Sequence, residues 1–197
     1  HGSETYKKVN GKEGSVIEVG TALTKELENV YGIKTVHDKS VYDMVDGQLD
    51  RNAAYNFAGD SVEAALRKNP SVKVVIDLHR DSVENNIHLR TKVNGKSAAQ
   101  IMFFNGVSRL ASKGDIGYLY NPNKEANLAF SLQMQLLAEE KYPDLTRKIF
   151  LKGLRYNLHV RPRSALIEVG AQTNTLEEAL NAMEPLADLL DQVLGGG

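Results

Sequence analysis

Hydrophobic residues recur along the chain at the intervals of amphipathic helices and, between these segments, as short unbroken apolar runs. Helical spacing predicts a first helix that begins near residue 16 and ends before Gly32, since glycine favours a helix stop. The same spacing predicts a helix over residues 50–67 and a longer one over residues 123–141. The apolar positions expected to face the core are Val16, Val19, Leu23, Leu27 and Val30 in the first helix, Ala54, Phe57, Ala65 and Leu66 in the second, and Leu128, Leu132, Leu136 and Leu137 in the third.

The unbroken apolar runs predict strands. VKVVIDL (72–78) and ALIEV (165–169) lack the alternation of a half-exposed strand, which is typical of parallel strands covered on both faces. IKTVH (33–37) predicts a further short strand. The alternating segment IHLRTKV is followed by Asn94-Gly95 and then by IMFF, and this order predicts a β-hairpin near 87–104.

The C-terminal region carries the signals of two short helices. Thr175 and Glu178 have the spacing of a capping box, and Pro185 is expected to divide the segment and open its second part. Strands that alternate with helices predict a three-layer α/β fold, in which a mostly parallel twisted sheet is flanked by helices. We expect one domain over residues 1–194, followed by a flexible glycine tail at 195–197. In such sheets, ligands bind beyond the carboxyl ends of the strands.

Composition narrows the classes of function. Lys and Arg number 24 against 25 Asp and Glu, so the formal net charge is −1 and the chain has no basic footprint for nucleic acid. No apolar run reaches the ~20 residues that span a bilayer. The chain has no cysteine, which excludes disulfides and thiolate chemistry. Any bound transition metal must therefore use histidine and carboxylate ligands.

The segment IDLHRD (76–81) has ionisable side chains at the end of a predicted buried strand. His79 lies where ligands are expected to bind, and Asp77, Arg80 and Asp81 surround it with charge. The structural alternative is a histidine at a strand end that is satisfied by a neighbouring carboxylate. His79 is therefore a candidate functional residue whose role needs a second observation.

Glu168 is a carboxylate in the middle of the apolar strand ALIEV. Burying a charge among aliphatic side chains is costly unless the group is paired or binds something. Burial would also raise its pKa, which suits general acid–base chemistry near neutral pH. The alternative is a glutamate that points outward from an edge strand, but the apolar run favours the functional interpretation.

The chain begins HGSE, which has two interpretations. A histidine followed by Gly-Ser is what a purification tag leaves behind. His1 and Glu4 could instead join His79 as two imidazoles and one carboxylate, the ligand set of a catalytic zinc site with an open water position. Glu13 is the reserve carboxylate ligand, although a negative charge near the start of the first helix also has a structural role. From these residues alone, both interpretations of HGSE stay open.

The other three histidines carry weaker signals. His37 precedes Asp38 in a predicted turn, and His88 lies on a predicted outer strand face. His159 lies near Arg161 in a polar connection. Solvated positions explain all three, so we do not expect direct participation in a site.

Several motifs, in order and across nearly the whole chain, resemble the stage II sporulation protein P family. These are HGSETY, VIEVGTALTKELE, VVIDLHRDS, RYNLHV and ALIEVGAQTNTLEEAL. The family is similar to the wider group of zinc-dependent N-acetylmuramoyl-L-alanine amidases. The resemblance implies an amidase-like or zinc-carboxypeptidase-like three-layer fold.

The resemblance also implies roles for individual residues. His79 matches the second zinc histidine of the group, and Glu168 matches the catalytic glutamate. His1 and Glu4 match the opening pattern of the family, which has another histidine two residues before His1 and a strand leading into it. In the wider group the glutamate ligand lies further along, which keeps Glu13 as an alternative to Glu4. We expect Arg80 to hold a substrate carboxylate or steady the metal shell.

The function implied by the resemblance is zinc-dependent hydrolysis of peptidoglycan at the amide between N-acetylmuramic acid and L-alanine. Cleavage of peptide cross-links is a second activity associated with the family. The implied setting is engulfment during sporulation, where the full-length protein is membrane-anchored outside the cytoplasm and works with a lytic transglycosylase and a membrane scaffold protein. Two alternatives remain open: a metallo-carboxypeptidase or endopeptidase on wall peptides, and a wall-binding module without activity.

Overall fold

The structure, a computed structural model, describes residues 3–195 of the chain, except for the side chains of three residues: Val45, Arg51 and Asn52. The helices are α1 (Val16–Asn29), α2 (Arg51–Lys68), α3 (Lys124–Lys141), α4 (Leu176–Asn181) and α5 (Met183–Gly195). The strands are β1 (Met44–Val45), β2 (Gln48–Leu49), β3 (Val75–Asp81), β4 (Arg90–Val93), β5 (Lys96–Ala99), β6 (Ile101–Gly106), β7 (Arg109–Leu110), β8 (Gly114–Asp115), β9 (Phe150–Lys152) and β10 (Ser164–Ala171). None of these helices is both long and apolar enough to cross a membrane.

A four-stranded mixed sheet in the order β3-β10-β6-β9 forms the centre of the described chain. β10 pairs in parallel with β3 and antiparallel with β6, and β6 pairs in parallel with β9. The prediction of an α/β fold with a mostly parallel sheet flanked by helices is confirmed. The parallel pair places Glu168 directly beside His79.

The two faces of the sheet are covered differently, because successive side chains of a strand point to opposite faces. Ala165, Ile167 and Val169 of β10 are fully buried in the large core that also contains residues of α1, α3 and α5. Leu166, on the other face, belongs to a small apolar cluster with Met102, Phe104 and Leu158. Glu168 has the same parity as Leu166, so it lies on the face with the smaller apolar cover.

The predicted hairpin near 87–104 is confirmed in β4 and β5, with a turn at Asn94-Gly95. Both turn residues have positive φ, 50° and 80°, which suits a tight hairpin turn and favours Asn-Gly. IMFF, expected as the second hairpin strand, is instead the start of β6 in the central sheet. All six β6 residues are buried, because this strand is covered on both faces.

Four other expectations about local structure are wrong. Val30, expected to face the core from the first helix, follows the end of α1 and is 63% exposed. Residues 33–37 form no strand, since Thr35 bonds to the Glu28 side chain and to the Ile33 carbonyl. Phe57 of α2 is 49% exposed instead of facing the core. Leu132 and Leu136 of α3 are 50% and 58% exposed. The buried α3 residues include Phe130, Met134 and Ala138.

The error in α3 has a geometric cause. Phe130, Met134 and Ala138 repeat every four residues, as the predicted leucines do, but the two sets are offset by two positions. Two positions correspond to about 200° around a helix, so the sets lie on opposite faces. Periodicity identifies the helix but does not by itself choose the buried face.

The last two helices follow the prediction closely. Thr175 is the N-cap of α4 and Glu178 completes the capping box, while Pro185 lies in the first turn of α5. Gly195 is the final residue of α5, and residues 196–197 lie outside the described part of the chain. The single domain and the flexible tail stay predictions.

Glu178 joins the hairpin to α4 through a buried carboxylate. It lies 2.8 Å from His88 Nε2 and accepts hydrogen bonds from Ser97, Asn174 and the Thr175 backbone at 3.0–3.1 Å. Burial opposes ionisation, but the hydrogen bonds from His88 and Thr175 outweigh it and hold the pKa of Glu178 below its usual value of 4.5. The carboxylate therefore stabilises the fold above the unfolded-state pKa, and this contribution is lost as pH falls through the lower folded-state pKa.

We predict that Glu178→Gln lowers the free energy of unfolding by about 1–3 kcal/mol at pH 7, because the hydrogen bonds lose a charged acceptor. Urea unfolding at pH 7 and at pH 4 measures this deficit relative to the wild type, which should shrink at the lower pH. The exposed neighbour Glu177 provides the control, and Glu177→Gln should change stability by less than about 0.5 kcal/mol. Equal losses in the two variants would contradict the structural role of Glu178.

Candidate active site

His79 lies near the carboxyl end of β3 with its side chain only 6% exposed. Its Nε2 lies 2.9 Å from Asp77 Oδ1, since residues two apart on a strand share one face. Its Nδ1 lies 3.3 Å from Glu4 Oε2. Both ring nitrogens thus face carboxylates that come from different parts of the chain.

Glu4 reaches His79 because the N-terminal segment docks against the end of the sheet. Tyr6 is 2% exposed, and its hydroxyl donates to the carbonyl of Val169 at 3.0 Å. The backbone N–H of Arg80 donates to Glu4 Oε2 at 3.3 Å, and the Arg80 guanidinium donates to the carbonyl of Thr5. These bonds fix the segment that carries Glu4 directly beside His79.

Glu13, the alternative carboxylate, lies elsewhere. It is exposed, and its Oε1 accepts a hydrogen bond from Thr5 Oγ1 at 3.0 Å. The structure therefore brings Glu4, and not Glu13, into contact with His79.

Arg80 makes hydrogen bonds within the protein in the described structure. It donates to the Glu4 carboxylate and to the carbonyls of Thr5 and Asp81, and these bonds join the N-terminal segment to β3. A role for Arg80 in substrate binding stays a prediction.

Glu168 is half-buried on β10 between His79 on β3 and Met102 on β6. Its Oε2 is buried and has no hydrogen-bond partner among residues 3–195. Burial, with repulsion from Asp81, raises the pKa of Glu168 to about 7, although His79 and Arg147 oppose the shift. A carboxyl group with this pKa can both accept and donate a proton near neutral pH.

Arg147 is a neighbour of Glu168 that the sequence did not reveal. Its guanidinium donates to Asp81 Oδ2 at 2.7 Å, and its backbone N–H donates to the carbonyl of Ile101. Arg147 follows α3 in a polar segment that has no motif. Only the strand order, with β10 between β3 and β6, brings the residue to the end of the sheet.

An aromatic group borders the same face of the sheet. Tyr156 makes edge contacts with Phe104 and Tyr55, at centroid distances of 4.9 and 5.3 Å. Burial and then the charge of Glu168 raise the pKa of Tyr156. Tyr156 lies in the quoted motif RYNLHV, but nothing in its spacing indicated that it would approach Glu168.

The remaining histidines lie apart from His79. His37 packs against Gly20 of α1, and His159 has its pKa lowered by burial and by Arg155. His88 pairs with Glu178. His1 lies outside the described residues, so its predicted role as a ligand stays a prediction.

The donor atoms of Glu4 and His79 suit a zinc ion, although no group of three or more potential ligands occurs within residues 3–195. Ligand atoms about 2.0 Å from zinc at tetrahedral angles lie ~3.3 Å apart. The separation between Glu4 Oε2 and His79 Nδ1 is 3.3 Å. Asp77 would then orient the imidazole through its other nitrogen, as carboxylates do for zinc-bound histidines. The described residues therefore fit two of the three predicted ligands.

Comparisons with known proteins identify the family of the chain and relatives of its fold. The family model described as Stage II sporulation protein P (SpoIIP) matches residues 1–191. The Stage II sporulation protein P of Bacillus subtilis (strain 168) is 27% identical over 187 residues, which is 92% of this chain. The chain spans 43% of the length of that relative.

Solved structures of amidases share the fold. The CwlD amidase from Clostridioides difficile, in complex with the GerS lipoprotein, matches with a TM-score of 0.57 and 16% identity, covering 98% of this chain and 91% of that one. The N-acetylmuramoyl-L-alanine amidase AmiC2 of Nostoc punctiforme matches with a TM-score of 0.51 and 11% identity, covering 96% and 87%. At these identities the likeness concerns the fold.

We predict that Glu168 titrates near pH 7 in the metal-free protein and that Arg147→Gln raises this pKa further. The substitution removes a nearby cation and also leaves the Asp81 carboxylate without its ion pair. Carbon-13 NMR of the glutamate carboxyl groups follows the titration, with Glu168→Gln assigning the signal.

Lys148 supplies the matched control, because it is an exposed cation adjacent in sequence. Lys148→Gln should leave the titration of Glu168 unchanged. A wild-type pKa close to 4.5, or an equal response to both substitutions, would contradict the electrostatic environment described for Glu168.

Proposed function

The chain belongs to the stage II sporulation protein P family, and from that premise we propose that it is a zinc-dependent peptidoglycan hydrolase acting in sporulation. The bond cut is the amide between N-acetylmuramic acid and L-alanine. The observation that carries the proposal is the convergence of Glu4, His79 and Glu168 at one end of the sheet. The fold shared with N-acetylmuramoyl-L-alanine amidases supports the choice of bond.

Glu4 and His79 would hold the zinc ion, with His1 as the third ligand expected from the family pattern. Asp77 accepts a hydrogen bond from the far nitrogen of His79 and so fixes the orientation of the imidazole. Zinc, when bound, supplies a Lewis acid that polarises the amide carbonyl and lowers the pKa of water. The hydrogen bonds from Tyr6 to Val169 and from Arg80 to Thr5 keep Glu4 in place.

Glu168 is the proton carrier of the reaction. Its carboxylate takes a proton from water as the water oxygen bonds to the carbonyl carbon of the amide. Glu168 then gives this proton to the amide nitrogen as the carbon–nitrogen bond breaks, which releases the peptide as a free amine. In the metal-free protein, burial and repulsion from Asp81 raise the pKa of Glu168, which strengthens its carboxylate as a base.

The second activity proposed for this site is hydrolysis of an amide in a peptide cross-link, with the same two proton transfers by Glu168. The setting proposed from the family is the envelope of sporulating cells, with the full-length protein anchored in a membrane outside the cytoplasm. A lytic transglycosylase, which cuts glycan strands, and a membrane scaffold protein are the proposed partners. Membership of the family supports these proposals.

We predict that Glu168→Gln lowers the rate of peptidoglycan hydrolysis by about 10²–10⁴-fold, because glutamine cannot carry the proton. The measurement is mass spectrometry of purified sacculi digested by the zinc-loaded protein. Products that begin with a free L-alanine identify the proposed amide, whereas severed cross-links alone identify an endopeptidase. Activity retained in Glu168→Gln would remove this residue from the reaction.

We also predict that Glu4→Gln and His79→Ala each lower zinc occupancy at least tenfold, because each removes one of three protein ligands. Elemental analysis after dialysis against a weak chelator measures the occupancy. Glu13→Gln is the control and should keep the metal, since Glu13 bonds to Thr5 at the surface. Metal lost in Glu13→Gln and kept in Glu4→Gln would reverse the assignment. A wild type without zinc or activity would favour a wall-binding module.

A further inference from the structure

A cleft of about 280 Å³ is lined by residues that follow the candidate site residues along the chain. Its lining residues are Lys7, Asn85, Ile87, His88, Gln172 and Thr173. They come from three segments: the N-terminal segment after Glu4, the loop after β3, and the turn after β10. Glu4, His79 and Glu168 lie in the same three segments, each a few residues earlier in the chain than the residues that line the cleft.

Chain length limits how far the cleft can lie from the site. Lys7 follows Glu4 by three residues, which span at most about 11 Å even when fully extended. Gln172 follows Glu168 by four residues, which span at most about 14 Å. A peptide extended from the reacting amide covers the same distance with three or four residues. The cleft is therefore within reach of a substrate peptide.

Hydrogen bonds to the backbone hold two walls of the cleft in place. The side-chain amide of Gln172 accepts from the N–H of Val83 at 3.0 Å and donates to the carbonyl of the same residue. The backbone N–H of Lys7 donates to the carbonyl of Asn174 at 2.8 Å. The Lys7 side chain takes no part in that bond, so it can be replaced without undoing the wall.

His88 forms a third wall with its side chain 37% exposed. Its Nε2 donates to Glu178, a buried carboxylate that can only accept. This bond commits one ring nitrogen of His88 to Glu178 and so restrains the position of the imidazole. The wall is thus fixed before any ligand arrives.

The charges around the cleft favour an anion. Lys7 is exposed and is the one formally charged side chain in the described lining, which contains no Asp or Glu. Asn85 brings a side-chain amide to the same lining. The hydroxyl of Thr173 is buried and has no hydrogen-bond partner among the described residues. The Lys7 ammonium group and the side-chain N–H donors of Asn85 are groups that bind a carboxylate.

We propose that this cleft binds a carboxylate of the substrate peptide, three or four residues from the amide that is cut, and that Lys7 pairs with it. The inference rests on the proposed function, because it takes the ligand to be the peptide of a muramoyl substrate. The cleft selects stems that carry a free carboxylate at that position over stems in which it is amidated. The contact is the same in the ground state and the transition state, so it acts on KM and not on kcat.

The test uses the full chain with Glu168→Gln and isothermal titration calorimetry, so that binding is measured without turnover. The probes are an N-acetylmuramoyl tetrapeptide with free carboxylates and the same molecule with every carboxylate amidated. Lys7→Met should weaken binding of the free acid about tenfold, because a charged hydrogen bond is lost. The amidated probe should bind equally with and without Lys7. Lys7→Arg should retain most of the affinity.

Lys8→Met is the matched control, since Lys8 is also exposed but does not line the cleft. It should leave both affinities unchanged. In the active protein, Lys7→Met should raise KM for the free acid about tenfold and leave kcat within about twofold.

Three results would overturn the proposal: equal weakening by the Lys8 substitution, equal weakening for the amidated probe, or no binding of the free acid to the Glu168→Gln protein. These results are distinct from failure of the proposed function. If the wild type cleaves neither probe but binds the free acid through Lys7, the cleft assignment stands and the hydrolase proposal falls. If the wild type cleaves both probes with equal KM, the hydrolase proposal stands and the cleft assignment falls.

Discussion

The geometry of the site depends on the docking of Tyr6 at the carboxyl end of β10. This side chain is almost fully buried and bonds to the carbonyl of Val169, the residue after Glu168. Because Glu4 lies two residues before this anchor, its carboxylate is delivered to His79 on the neighbouring strand. The parallel register of β3 and β10 then sets His79 beside Glu168. One buried aromatic ring thus connects three functional side chains that local structure alone would leave apart.

The pKa of Glu168 is set by opposing effects of burial and of the neighbouring charges. Asp81 and Glu4 favour its neutral form, as burial does, whereas His79 and Arg147 favour its charged form. A carboxyl group buried without the cations would hold its proton too firmly to act as a base. The same carboxyl group paired directly with a cation would be too weak a base to take up a proton. The Arg147–Asp81 pair keeps a positive charge close to Glu168 while committing the guanidinium to another carboxylate.

Local sequence patterns predicted the helices, the strands β3 and β10 and the hairpin turn, because each depends on residues close together in the chain. The expectation that β3 is covered on both faces was wrong, since β3 lies at the edge of the sheet. The placement of His79 at a strand end and of Glu168 within an apolar strand followed from the same patterns. Arg147 and Tyr156 could not be found in this way, since their proximity to Glu168 arises from strand order and from the packing of distant loops. The choice of Glu4 over Glu13 also required the tertiary contact of Tyr6. The inner face of α3 was missed because two apolar sets with the same period competed for the core.

The bonds that join the N-terminal segment to the sheet connect residues 76 and 163 positions apart. Contacts of such long range form late, since the closure of a long loop must precede them. A partly synthesised or unfolded chain therefore has no assembled candidate site, because Glu4, His79 and Glu168 are not yet together. For the wall hydrolase proposed above, this arrangement would be a kinetic safeguard. The site would be complete only after β10 has joined the segment that carries Glu4.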